Sequence, residues 1–158
     1  YEGTTAIQAN DLVGRKTARD GGQSAKGIAT QIEATEKALS AGGDDAKAVA
    51  RRLGAARKAF VDVVEFIAAQ AKADPNAAYA GSVPYLLLAG NLMAGWQLGR
   101  ALLVAEKELA AGKDVAFMKA KITTARFYAE HILTRAPGVR DAVVEGAHSV
   151  TAMALESF

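Results

Sequence analysis

Three side chains stand out as candidates for moving protons: a glutamate in the turn Tyr1-Glu2-Gly3-Thr4-Thr5, and the two histidines His131 and His148. A carboxylate takes a proton from carbon only when it is held against the carbon acid, and burial helps by raising its pKa toward the working pH. Local physics gives Glu2 a second reading, as a favourable charge ahead of a helix N-terminus, with Gly3 in the turn and Thr4 or Thr5 as the N-cap. Glu145-Gly146-Ala147-His148 is one Glu-x-x-His step, of which di-iron helical bundles use two. Glu130 and His131 are adjacent and point to different faces of a helix, so they do not make the second step. A partly solvated histidine near a helix surface accounts for both, and no metal site is expected.

Other chemistries are excluded by what the chain lacks. With no cysteine, disulfides, thiolate metal sites and cysteine nucleophiles are ruled out. Gly21-Gly22 and Gly42-Gly43 follow no strand and read as helix breaks, not phosphate loops, and no G-x-S-x-G elbow occurs. Lys plus Arg number 19 against 17 Asp plus Glu, a balance that gives no reason to expect nucleic acid or an anionic membrane as partner. Lys47, Arg51, Arg52, Arg57 and Lys58 cluster on one helix and read as a solvated face. Trp96, Tyr85 and Phe127-Tyr128 read as core or interface residues.

The elements that must position these residues are helices. Ala, Leu, Lys, Glu and Arg dominate, prolines number only 3, and no alternating run of β-branched residues appears. A short helix is expected from Thr4-Thr5 to about Lys16, with Ile7 and Leu12 as its apolar contacts. A second, about Gln23 to Ala41, carries Ile28, Ile32, Thr35 and Leu39 on one face. Gly42-Gly43 ends it, with Asp44 placed to cap the next. The third, about Asp45 to Lys72, repeats steps of four and three through Val49, Leu53, Ala56, Phe60, Val63 and Ile67, and stops at Asp74-Pro75. The fourth runs from about Val83 to Ala111. The fifth, Asp114 to Thr134, ends at Ala136-Pro137-Gly138. A last helix from Val139 to about Leu155 has Val143, Ala147, Val150 and Ala154 as its stripe. The expected fold is all-α, an up-and-down bundle of about four main helices plus a short N-terminal helix.

Ala77 to Gly99 runs for 23 residues without a charge, near the length that crosses a bilayer, and contains Gly95-x-x-x-Gly99. Pro84, Asn91 and Gln97 lie within it, and the other helices are amphipathic. The stretch therefore reads as a buried central helix whose small residues, Gly90, Ala94, Gly95 and Gly99, let neighbours approach, and no membrane span is expected.

Tyr1 through Gln8 resembles a segment of the acyl-CoA dehydrogenase family, Tyr-Glu-Gly-Thr-x-x-Ile-Gln, at every fixed position. Asp11-Leu12-Val13-Gly14-Arg15-Lys16 is similar to the longer, 3-methylmercaptopropionyl-CoA dehydrogenase-like subgroup, which appends an extra helical domain to the catalytic fold. Softer agreement continues through Tyr85 to Gly90, Gly95-Trp96, Ala125 to His131, and Ala136-Pro137. The resemblance implies that residues 1–20 end the catalytic helical domain and residues 21–158 form the appended bundle, the chain being a cut from something longer. It implies that Glu2 removes the α-proton of an acyl-CoA while a hydride leaves the β-carbon for FAD, giving a trans-2-enoyl-CoA. Gly3 then lies against the substrate, and Thr4, Thr5 and Ala6 approach the flavin. Implied partners are an electron-transfer flavoprotein and further copies in a homo-oligomer, and the implied compartment is the cytoplasm. The parts of the family that hold most of the flavin and the CoA are missing here, so the piece alone is expected to be inactive. A non-catalytic helical interaction domain, with Glu2 as a cap residue, is the alternative.

Overall fold

Steps of four and three from Val49 to Ile67 put the apolar side chains on one stripe of a long helix, and that helix, α3 (Asp44–Ala73), is the axis of the molecule. The computed structural model describes residues 4–157, without the side chain of Leu155. Around α3 lie α2 (Gln23–Ser40), α5 (Ser82–Ala110) and α6 (Val115–His131). The shorter α1 (Thr5–Asp11), α4 (Pro75–Ala80), α7 (Ala136–Val144) and α8 (Ala147–Thr151) close the ends, and no strand occurs among the described residues. Helix α3 touches α2, α5, α6 and α7. Its residues Leu53, Ala56, Val63, Val64 and Ile67 are fully buried.

The main helices run up and down, as the short Gly and Pro breaks between them predict. Late α3 meets early α2 at Val64 and Gly22, while Gly54 and Arg57 meet Glu36. Late α3 also meets early α5, where Phe60 stacks on Tyr85 with ring centroids 5.9 Å apart. Early α3 faces late α5 at Val49, Leu53 and Gly99. The hydroxyl of Tyr128 on α6 donates to the carbonyl of Asn91 on α5 at 3.3 Å. Between α2 and α5, Trp96 Nε1 donates to Thr35 Oγ1 at 2.8 Å, giving an indole amid apolar neighbours its hydrogen bond.

The uncharged stretch is divided between the end of α4, Ala77 to Ala80, and the first part of the inner helix α5, Ser82 to Gly99, and none of the described helices is long and apolar enough to cross a membrane. Two of its glycines allow the close approach expected of them. A Cβ on Gly95 would sit 2.8 Å from Leu133 Cδ1, and one on Gly99 would sit 3.0 Å from Leu39 Cδ1. Gly90 and Ala94 differ from expectation, since both are exposed and Gly90 has no neighbour within 4 Å of a Cβ. Helices α1, α2, α3, α6 and α7 pack on α5 and leave open the stripe on which Gly90 and Ala94 lie.

Helix ends depart from the sequence reading in several places. The first helix is α-helical only to Asp11; Leu12–Thr17 form a π-helical turn and Ala18–Asp20 a 3₁₀ turn. Asp44 lies inside the first turn of α3 behind Gly43 and makes no cap bond, leaving its charge to act on the helix dipole. Pro75 starts α4, where Asp74 accepts from Ala77 N at 3.1 Å. Pro137 falls in the first turn of α7, where its missing N–H costs nothing, so Ala136-Pro137-Gly138 opens a helix. The last helix breaks at Glu145-Gly146, and Val150 and Ala154 of its stripe are exposed.

Leu53→Ala is expected to lower the unfolding free energy by about 2–5 kcal/mol, because its fully buried side chain leaves a cavity. Val104→Ala, 59% exposed on α5, should change it by less than about 0.5 kcal/mol. Urea unfolding followed by circular dichroism measures both. Similar losses at the two positions would contradict this assignment of the core.

Candidate functional site

Glu2 and Gly3, two of the five residues singled out by sequence, lie outside the described residues. The other three open the first helix. Thr4, Thr5 and Ala6 are all exposed. Thr4 stands at the N-cap position but its side chain makes no cap bond. The reason is its backbone, φ −98° and ψ −11°, which is helical, whereas a capping hydroxyl is aimed by β-region dihedrals. Ile7 was expected to pack inward and is 64% exposed, while Ala9 and Val13 are fully buried in its place. The start of α1 therefore turns two threonines and an isoleucine outward, and its buried side packs on α5. Chemically, this face offers the exposed hydroxyls of Thr4 and Thr5 to a polar group brought up from outside.

The π-helical turn that follows α1 reaches the interior. Thr17 and Tyr85 are 1% and 0% exposed, and their hydroxyl oxygens are 2.9 Å apart. Burial pushes the Tyr85 phenol above its ordinary pKa, the Thr17 hydrogen bond pulls it back, and the charge of Asp20 pushes it up again. Beside the pair opens a cavity of about 640 Å³, with Leu12, Ile28, Phe60 and Met93 among its walls. Sequence reasoning read Tyr85 as a core or interface residue and gave Thr17 no role. A usable signal was Gly14, because a Cβ there would lie 2.5 Å from Tyr79 Oη, so the turn carries glycine at that contact.

His131 shares a shallow pocket with Asp45 and Glu130, but Arg126 holds both carboxylates, at 2.6 and 3.1 Å. His131 lies against Phe127 with ring centroids 4.5 Å apart. His148 is exposed, and Glu145 is held by Arg140, which also reaches Asp62 and Asp141. Among the described residues no group of three His, Asp or Glu side chains could hold a metal ion. Of the basic cluster, Lys47, Arg51 and Lys58 are exposed as expected. Arg57 departs from that reading: it points inward and pairs with Glu36 at 2.9 Å.

Comparison with known proteins places the chain. Residues 28–154 match the family described as Acetyl-CoA dehydrogenase C-terminal like. A 3-methylmercaptopropionyl-CoA dehydrogenase of Ruegeria pomeroyi is 50% identical over 98% of this chain and 26% of its own length. A broad-specificity linear acyl-CoA dehydrogenase of Mycobacterium tuberculosis is 35% identical over 90% of this chain and 25% of its own length. The chain thus spans about a quarter of the length of these curated relatives.

Two outcomes test the buried hydroxyl pair. Tyr85→Phe strands the Thr17 hydroxyl and should cost about 1–3 kcal/mol, part of which Thr17→Val in the same chain restores, because then neither partner is left unpaired. A double-mutant cycle with no coupling would contradict the bond. The folded phenol also holds its proton more tightly than the unfolded one, whose reference value is 10.0. Stability from this group is therefore whole below pH about 10 and is lost as pH rises through the higher folded pKa. Alkaline unfolding should show that component in the parent chain and lack it in Tyr85→Phe.

Proposed function

Because this chain belongs to the acetyl-CoA dehydrogenase C-terminal-like family of the acyl-CoA dehydrogenases, we propose that it is the C-terminal part of a longer FAD-dependent enzyme that converts an acyl-CoA thioester to a trans-2-enoyl-CoA. The observation that carries this reading is 50% identity, over 98% of the chain, with a protein named 3-methylmercaptopropionyl-CoA dehydrogenase. In this reading residues 1–20 end the catalytic helical domain, and residues 21–158 are an accessory bundle.

Glu2 is the catalytic base. The α-proton beside a thioester carbonyl is only weakly acidic, so the carboxylate must be positioned on it and desolvated enough to compete for it. Gly3, with no side chain, leaves room for the substrate beside that carboxylate. Bound FAD would supply the acceptor for the β-hydride. Thr4, Thr5 and Ala6 are the residues that would lie along it, and they fit that role because they are exposed and the Thr4 hydroxyl makes no cap bond. Electrons then pass to an electron-transfer flavoprotein, and the enzyme works in the cytoplasm as a homo-oligomer. The accessory bundle is suited to packing: Val83, Leu87, Gly90 and Ala94 repeat at steps of four, three and four along the outward face of α5, and all are exposed.

The longer protein, purified with its flavin and mixed anaerobically with a panel of acyl-CoAs, tests the reading. Rapid bleaching should identify the preferred acyl group, and Glu2→Gln should slow it by at least about 100-fold. Equal rates in the two proteins would place the base elsewhere and return Glu2 to a helix-end charge.

A further inference from the structure

The cavity beside Thr17 and Tyr85 plays no part in the reading above, which rests on Glu2 and the outer face of α1. Its volume, about 640 Å³, falls among those of small-molecule sites. Three independent features bear on what it takes. The sides are apolar, formed by Leu12, Ile28, Phe60, Ala89 and Met93. Ile28, expected to pack against a neighbouring helix, is 37% exposed because it faces this space.

The mouth is cationic. Arg15, Lys16 and Arg19 line it and are exposed. Arg15 is paired with Asp11 at 2.8 Å, whereas Lys16 and Arg19 make no ion pair among the described residues. The one carboxylate of the wall, Asp20, is already engaged by Gly22 N, Ser24 N and Ser24 Oγ, and the Ser24 bonds hold it below its ordinary range. Among the described residues it makes no ion pair with Lys16 or Arg19.

The third feature is the buried hydroxyl pair. Two hydroxyls carry two protons, and the bond between Thr17 and Tyr85 uses one. The second belongs to a side chain at most 1% exposed that lines the cavity and makes no other side-chain hydrogen bond among the described residues. Buried donors are rarely left without an acceptor. The backbone around them is a π-helical turn, a rare geometry found often at functional sites. It sends adjacent residues opposite ways, Lys16 out to the mouth and Thr17 inward.

We propose that this cavity binds a small amphipathic anion, an aliphatic carboxylate, whose chain lies along Ile28, Phe60 and Met93 and whose carboxylate meets Lys16 and Arg19. An inorganic anion would leave the apolar walls wet, and a neutral hydrocarbon would leave both cations unmatched. The spare hydroxyl proton serves a polar atom or a water carried in with the ligand.

The test is a titration of the 158-residue chain with sodium octanoate below its micelle concentration, read by amide ¹H–¹⁵N shifts. Octanol and inorganic phosphate are the two comparison arms. Octanoate should give saturable shifts centred on Thr17, Ser24, Ile28 and Ala89. Lys16→Gln with Arg19→Gln should weaken it about tenfold, and octanol should bind more weakly than octanoate by a similar factor. These two side chains are exposed, so the variant spectrum reports directly that the fold is kept. Shifts that never saturate or that centre elsewhere would overturn the proposal. Octanol binding as well as octanoate would reduce the site to an apolar hollow, and phosphate alone giving the same shifts would reduce it to an adventitious ion only; either result also overturns it. Neither Glu2 nor flavin enters this experiment, so its failure leaves the dehydrogenase reading untouched.

Discussion

The stripe on α3 from Val49 to Ile67 cannot be left in water, and the rest of the bundle follows from covering it. Each large aliphatic side chain fully buried there contributes about 1.5–3 kcal/mol relative to exposure, against the backbone entropy of ordering a helix of 30 residues. Covering so long a stripe takes more than one neighbour. Helices α2, α5 and α6 supply them, and the approach of α5 is set by residues without a Cβ. Gly99 admits Leu39 while Val49 and Leu53 close over the same spot, and Gly95 admits Leu133. A larger residue at either glycine would push α5 away from the axis and open the core along its length.

The same packing explains how the N-terminal segment is held. α1 packs on α5, and its π-helical extension touches both α3 and α5. The Thr17–Tyr85 bond joins them there, next to the Phe60–Tyr85 stack. One side of this N-terminal segment is thereby fixed to the bundle. Its other side, with Thr4, Thr5 and Ile7, stays open, as a segment that carries a catalytic base into another part of a longer enzyme would need. The bundle anchors the segment and the cavity lies behind the anchor.

Much of this was legible in the sequence. The α3 stripe, the helical class, the inner position of α5 and the roles of Gly95 and Gly99 follow from spacing alone, because burial imposes a period that a long helix repeats many times. What escaped was set by single contacts. The π-helical turn at Leu12–Thr17 leaves no periodic trace in six residues, and of the two residues assigned inward on the first helix Leu12 packs against the core while Ile7 is exposed. Gly90 and Ala94 have the same type and spacing as Gly95 and Gly99 but face outward, and only the placement of Leu133 and Leu39 separates them. Pro137 opens a helix where its neighbours suggested an end, since proline is compatible with both. For the candidate site, the resemblance at Tyr1 to Gln8 named Glu2, whereas periodicity could say no more than helix end. The cavity was invisible, because its walls come from four separate parts of the chain.

The claim at the centre of this account is that Glu2 takes a proton from carbon. Its most direct measurement is solvent deuterium incorporation at the α-carbon of the preferred acyl-CoA, followed by mass spectrometry in the longer flavin-loaded protein and in its Glu2→Gln variant. The account predicts label at the α-carbon with the parent and none above background with the variant, with flavin content and helical signal the same in both. Equal labelling by the two proteins would contradict it, and would assign the proton to a base outside this chain's first turn.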